Sequence, residues 1–303
     1  MATMTKRQAW IAAMRPRTLP LALAGIGMGS FLAGSHGKFD GSITLLAILT
    51  ATFLQILSNL ANDYGDSIHG ADSAERKGPS RAVQSGLITA AEMQRAMMIC
   101  ALLAMISGLV LIGVSLGAQQ LLLAIIFVLI GGASVWAAIN YTAGDNPYGY
   151  MGLGDLFVLL FFGLAGVLGS YYLQARELNG LVVLPAISMG VFAVAVLNIN
   201  NIRDIDSDVK AGKNSIPVRL GGENARIYNW VLLGIGVVCA LLYVALTFSS
   251  VWQFLFVLVL PLIFKIGRTV QTSPNDQLDP LLKQMVLASL LFMLTFGIGQ
   301  LLA

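Results

Sequence analysis

Nine mostly apolar runs, each about as long as a bilayer is thick, dominate this chain and leave room for little else. They fall near 19–34, 43–61, 96–116, 121–140, 154–174, 181–199, 228–248, 251–267 and 285–302. A membrane-spanning helix needs roughly 17–25 such residues. The first and eighth runs are short and contain Gly or Pro. Composition agrees: 57% of residues are hydrophobic and 11% charged, where soluble domains carry about 25% charge. The 303 residues hold these spans but no large soluble domain besides. The chain therefore reads as an all-α polytopic membrane protein, one domain over 1–303. Basic residues precede the first run, as in a signal peptide. The following FLAGSHGKFD has no small-x-small cleavage site, which predicts a retained first helix.

Charge placement supports the count. With the N-terminus inside and the spans alternating, every Lys and Arg except Lys38 and Arg176 falls on the inner side, as the positive-inside rule requires. This predicts an external C-terminus. The net charge of +3 is too small to suggest nucleic acid. Cys100 and Cys239 lie in apolar runs without CxxC or Cys/His spacing, so neither a disulfide framework nor a zinc site is indicated.

Two stretches interrupt this greasy pattern, NLANDYGDSIHGAD (59–72) and NINNIRDIDSD (198–208), and the topology puts both on the inner face. Asn62 and Asp66 are four apart; Asn200, Asp204 and Asp208 repeat the spacing. Residues i and i+4 share one helix face. Each stretch is followed by a basic, Gly-bearing segment, RKGPSRAVQSG (76–86) and GKNSIPVRLGG (212–222). The parallel suggests an internal duplication, roughly 15–140 and 141–303, with halves facing across a central cavity. Carboxylates at this density repel one another and need cations. Mg²⁺ suits them, because it takes oxygen ligands and is held by one or two carboxylates plus substrate phosphates. The neighbouring Arg and Lys then suit phosphate oxygens. Together these point to a diphosphate site. Asp63 and Asp206 are out of phase with the shared face, which leaves them a supporting role or solvent exposure. Other readings are a solvated acidic cap at two helix ends, an ion-coupled transporter, where intramembrane acids mark ion paths, and a lipid-binding scaffold.

With RPRTLP (15–20) before the first run and YTAGDNPYGYMGLGD (141–155) between the acidic stretches, the ordered set resembles the UbiA superfamily of intramembrane aromatic prenyltransferases. Within it, the chain is most similar to the branch that prenylates 1,4-dihydroxy-2-naphthoate in menaquinone synthesis. The resemblance covers nearly the whole chain. It implies nine helices around a cavity and two Asp-rich motifs that hold Mg²⁺ against a polyprenyl diphosphate. The prenyl chain then passes to the aromatic acceptor with loss of CO₂ and diphosphate, in a setting of membrane lipid. Carried over, Asn62, Asp66 and Asp72 form the first metal motif and Asn200, Asp204 and Asp208 the second. Position 70, where the family's last Asp of the first motif would fall, is Gly here. Asp66, Asp204 and Asp208, with Arg81 and Tyr141, are then catalytic. Arg81 is the leading diphosphate contact, with Arg15, Arg17, Lys77 and Lys213 as further ones, while Arg203 pairs with a neighbouring Asp. Tyr64, Tyr141 and Tyr148 offer aromatic faces to an allylic cation. Tyr141 and Asp155 are candidates for the acceptor end. Acceptors such as 4-hydroxybenzoate, homogentisate or haem would use the same metal site.

Overall fold

The computed structural model describes residues 4–68, 82–117 and 119–303. Among them there is no strand, and nine helices are long and apolar enough to cross a membrane. They are α1 (Lys6–Ser35), α2 (Gly41–Ile68), α3 (Ala90–Leu116), α4 (Leu121–Asn140), α5 (Gly154–Ala175), α6 (Gly180–Arg203), α7 (Gly222–Thr247), α8 (Val251–Thr272) and α9 (Asp279–Leu301). The count and order match the apolar runs.

The boundaries differ where polar residues are helical. α1 starts at Lys6, well before the first apolar run. Its opening turns carry charge, so they leave no apolar signature; a Thr5–Gln8 capping box starts them. The helix then breaks at Arg15, which is left-handed with φ 47°, and re-forms through a 3₁₀ turn at Pro16–Thr18. That corner carries Arg15 and Arg17. α2 and α6 run past their apolar segments to Ile68 and Arg203. Their polar ends face protein, so loss of hydrophobicity does not end them. α8 opens as a 3₁₀ helix, Val251–Val259, before becoming α-helical at Leu260.

α6 is the axis of the bundle. Of its spanning window 67% is buried, against 6% for α4, which therefore faces lipid. α6 packs on α5, α7 and α9, and α9 packs on α1 and α8. Phe192, Phe256, Phe292 and Phe296 fill this larger core. α2, α3 and α4 form a second group that meets the first through α1. Between lipid-soluble helices the hydrophobic effect gives no net pull, so close backbone contact matters more. Gly25 and Gly29 supply it on α1: an added Cβ would lie 2.6 Å from the Phe162 carbonyl oxygen and 2.3 Å from that of Val167. On the facing helix, Leu159–Leu168 is wound as a π-helix, a form that recurs near functional sites.

Candidate active site

A cavity of about 390 Å³ lies between the two helix groups. Apolar and aromatic side chains, among them Phe127, Phe157, Phe161 and Phe162, line its length. Its charged residues come from the end of α2, the end of α6 with the segment that follows it, and the starts of α1 and α9. Alternating helix directions put those four ends on the same face of the bundle. Asn62 and Asp66 line the cavity together with Asn200, Asp204 and Asp208. Arg15, Arg17, Lys213, Tyr141 and Tyr148 line it as well.

At the α6 end the acids are held by cations of the chain itself. Arg203 donates from Nε to Asp204 Oδ1 at 2.8 Å and from Nη2 to Asp204 Oδ2 at 2.6 Å. Nη2 also reaches Asn200 Oδ1 at 2.9 Å. Arg203 thus pairs with its neighbouring Asp, as the sequence suggested. The helix stops at Arg203, and Asp208 rises from a separate short helix, Ile205–Lys210. The Asp208 amide still donates to the Asp204 carbonyl at 2.9 Å. Lys213 Nζ lies 3.5 Å from Asp208 Oδ1 and above the Tyr150 ring. Burial pushes the Asp208 carboxyl up to about 6; Asp204 and Asp66 add to this, and Lys213 opposes it. For Lys213, burial disfavours the charge, but Asp208, Tyr141 and Asp66 outweigh it and hold the ammonium above its usual range. Three carboxylates facing one low-dielectric space call for positive charge.

The α2 end is held differently. Tyr150 donates to Asp66 Oδ1 at 3.3 Å. Gly65 lets α2 press against the turn after α4, where a Cβ would meet the Thr142 carbonyl at 2.3 Å; Thr142 Oγ1 donates to the Ala61 carbonyl at 3.0 Å. Asp63 points away from the cavity and is buried. Its carboxylate accepts from the Ala82 and Val83 amides, both at 3.0 Å. Asp206, the out-of-phase acid of the second stretch, is exposed.

Two expectations lead elsewhere. The Tyr64 hydroxyl accepts from Gln94 Nε2 at 2.6 Å on α3, and its ring packs with the α1–α3 cluster instead of the cavity. Residues two apart on a helix do not share a face, so Tyr64 cannot look where Asn62 and Asp66 look. Asp155 turns from the cavity to accept from the Tyr228 hydroxyl at 2.9 Å. Arg219 pins backbone carbonyls of Met151 and Asn214. Asp72, Lys77 and Arg81 lie outside the described residues. Two residues that sequence reasoning passed over are Lys283, which lines the cavity, and Asp279, which pairs with Arg17 and Arg203. They are four apart at the start of α9, and an acid beside Pro280 at a helix start was the available signal.

Among the described residues no three His, Cys, Asp or Glu side chains converge tightly enough to cage a metal alone. The oxygen donors around the cavity are carboxylates, amides and hydroxyls, and neither Cys nor His lines it. That set fits a hard cation such as Mg²⁺, which retains waters and takes further oxygens from a substrate phosphate.

The UbiA prenyltransferase family model matches residues 19–295. The chain belongs to the UbiA prenyltransferase family. It is 47% identical to the 1,4-dihydroxy-2-naphthoate octaprenyltransferase of Escherichia coli, over 97% of this chain and 96% of the relative. It is 45% identical to that of Haemophilus influenzae, over 98% and 96%. Among solved structures, an apo UbiA homolog from Aeropyrum pernix superposes with TM-score 0.67 at 18% identity, covering 93% of this chain and 96% of that one. A UbiA homolog from Archaeoglobus fulgidus bound to GPP and Mg²⁺ superposes with TM-score 0.64 at 15% identity, covering 97% and 100%. These two show that the fold of this UbiA-family chain is the family's. Membership sets aside the transporter and scaffold readings.

Proposed function

We propose that this chain transfers a polyprenyl group from a polyprenyl diphosphate to 1,4-dihydroxy-2-naphthoate, releasing CO₂ and diphosphate and giving demethylmenaquinol, the hydroquinone form of demethylmenaquinone. The observation that carries the reading is the pairing of two acidic helix ends on the polar end of one apolar, aromatic-lined cavity. The identity to naphthoate octaprenyltransferases supports the choice of acceptor.

Asn62, Asp66, Asn200, Asp204 and Asp208 would hold Mg²⁺. When bound, the cation would supply charge neutralisation to the departing diphosphate, which lowers the barrier to breaking the allylic C–O bond. Arg15, Arg17, Lys213 and Lys283 present positive charge to the same oxygens. The electron pair of the broken bond leaves with the diphosphate. The allylic carbon then needs a space without water, which the Phe157, Phe161 and Phe162 side chains provide. Tyr141 and Tyr148, 5.4 Å apart between ring centres, line the same space, where aromatic rings favour a nearby positive charge. The ring carbon bearing the carboxylate forms the new C–C bond, and loss of CO₂ returns an electron pair to the ring. The prenyl tail stays in oil, since each CH₂ costs about 0.8 kcal/mol to move to water.

We place the protein in the cytoplasmic (inner) membrane, with its N-terminus and site on the cytoplasmic side and its C-terminus outside. The one-sided Lys and Arg distribution supports this, and a C-terminal reporter that reads cytoplasmic contradicts it. The function is tested by incubating purified protein with Mg²⁺, a polyprenyl diphosphate and, separately, the naphthoate, 4-hydroxybenzoate and homogentisate. The expected product is the prenylated, decarboxylated naphthoate, identified by mass. No product with the naphthoate, or equal turnover of another acceptor, rejects the reading.

A further inference from the structure

Arg203 presents an electrostatic problem that Asp279 resolves. Arg203 is 2% exposed, and its bidentate grip on Asp204 is the strongest kind of charge-assisted pair. Alone, that grip would leave Asp204 largely neutralised and a poor ligand for a metal cation. Asp279, in the first turn of α9, changes the balance. Its Oδ1 accepts from Arg203 Nη1 at 2.5 Å. One guanidinium is therefore divided between two carboxylates, which leaves Asp204, a residue of the cavity lining, less fully neutralised by Arg203 than an exclusive pair would. The same Asp279 accepts from Arg17 Nη1 through Oδ2 at 3.1 Å. It thereby ties the corner after the first turns of α1 to the end of α6. Nη1, held by Asp279, and Nη2, held by Asp204 and Asn200, fix the guanidinium plane, and with it the orientation of two metal-motif oxygens. Acidic side chains at helix starts often serve only the helix dipole. That role needs neither arginine.

We propose that Asp279 is a positioning residue for the cation and diphosphate site. By sharing Arg203 with Asp204 and anchoring Arg17 at the cavity, it keeps Asp204 available to a divalent cation. The inference rests on the prenyl-transfer reading only in taking that cation to bind together with a diphosphate.

The deciding variant is Asp279→Asn, which keeps shape and an acceptor oxygen but removes the charge. Mn²⁺ binding to the full-length, detergent-solubilised protein is followed by electron paramagnetic resonance with inorganic diphosphate present. The expected result is a loss of about tenfold in Mn²⁺ affinity, the scale seen when a partner of a metal ligand is removed. The Mg²⁺ concentration for half-maximal transfer rises by the same factor, and KM for the naphthoate is unchanged. Asp279→Glu, which keeps the charge, recovers most of the affinity. A helix-dipole role would lower thermal stability and leave Mn²⁺ affinity untouched, which overturns the proposal. A Glu variant as weak as the Asn variant overturns it too, and if the Asn protein fails to fold, the Glu variant decides by keeping or losing Mn²⁺ affinity. Wild-type protein that binds Mn²⁺ with diphosphate yet makes no prenylated naphthoate defeats the proposed function and leaves this inference standing.

Discussion

The ends of α2 and α6 carry the same four-residue spacing of amide and carboxylate and are built on different principles. Asn62 and Asp66 ride one unbroken helix, held mechanically. Gly65 seats it against Thr142, and Asp63 ties it to the Ala82 and Val83 amides. The α6 end is broken at Asp204 and held electrostatically, by Arg203 and Lys213 buried among its acids. The out-of-phase acids diverge as well, Asp63 buried and structural, Asp206 exposed. Equal spacing thus marks which face lines the cavity and says nothing about what keeps that face in place.

Removing the donors tests whether both ends serve one reaction. Asp66→Ala and Asp208→Ala are each expected to lower prenyl transfer by at least about 10²-fold, with thermal unfolding showing folded protein. Full turnover in either variant would break the comparison. Lys213→Met asks whether the α6 end depends on its internal cation. Turnover is expected to fall about tenfold or more, because Asp208 is left facing Asp204 and Asp66 without its ammonium. Unchanged turnover would assign Lys213 to packing alone. Asp63→Ala should cost about 1–3 kcal/mol of stability by leaving two amides without their acceptor. A denaturation midpoint equal to wild type contradicts the mechanical account of the α2 end. The smallest effect is expected for Tyr64→Phe, which removes one hydrogen bond to Gln94 worth about 0.5–1.5 kcal/mol. Its turnover should match wild type, and a large loss of rate would return Tyr64 to the site.

The nine spans were legible because bilayer thickness dictates their length. The first turns of α1 were not, since Lys6, Arg7 and Gln8 break any apolar run although Thr5 caps them well. In the site, the acids announced themselves through a repeated helical spacing. Tyr64 offers an aromatic ring between Asn62 and Asp66, yet it is two residues from each and so meets Gln94 on α3 instead. The partner that turns Asp155 from the cavity, Tyr228, comes from a helix distant in sequence, which local pattern does not show. Asp279 and Lys283 carried only a weak helix-start signal; their importance comes from where the last helix packs, which local pattern does not encode. Arg203 was readable as a partner of its neighbouring acid, whereas its division between two carboxylates needed the fold.

The central claim is that both acidic helix ends hold one diphosphate through shared divalent cations. Crystals grown with Mn²⁺ and a slowly reacting prenyl thiolodiphosphate test it most directly, through the anomalous signal of the metal. The account expects manganese within coordination distance of Asp66 and of Asp204 or Asp208, bridged by the same diphosphate. Manganese at one end only, or a diphosphate bound away from the cavity, contradicts it.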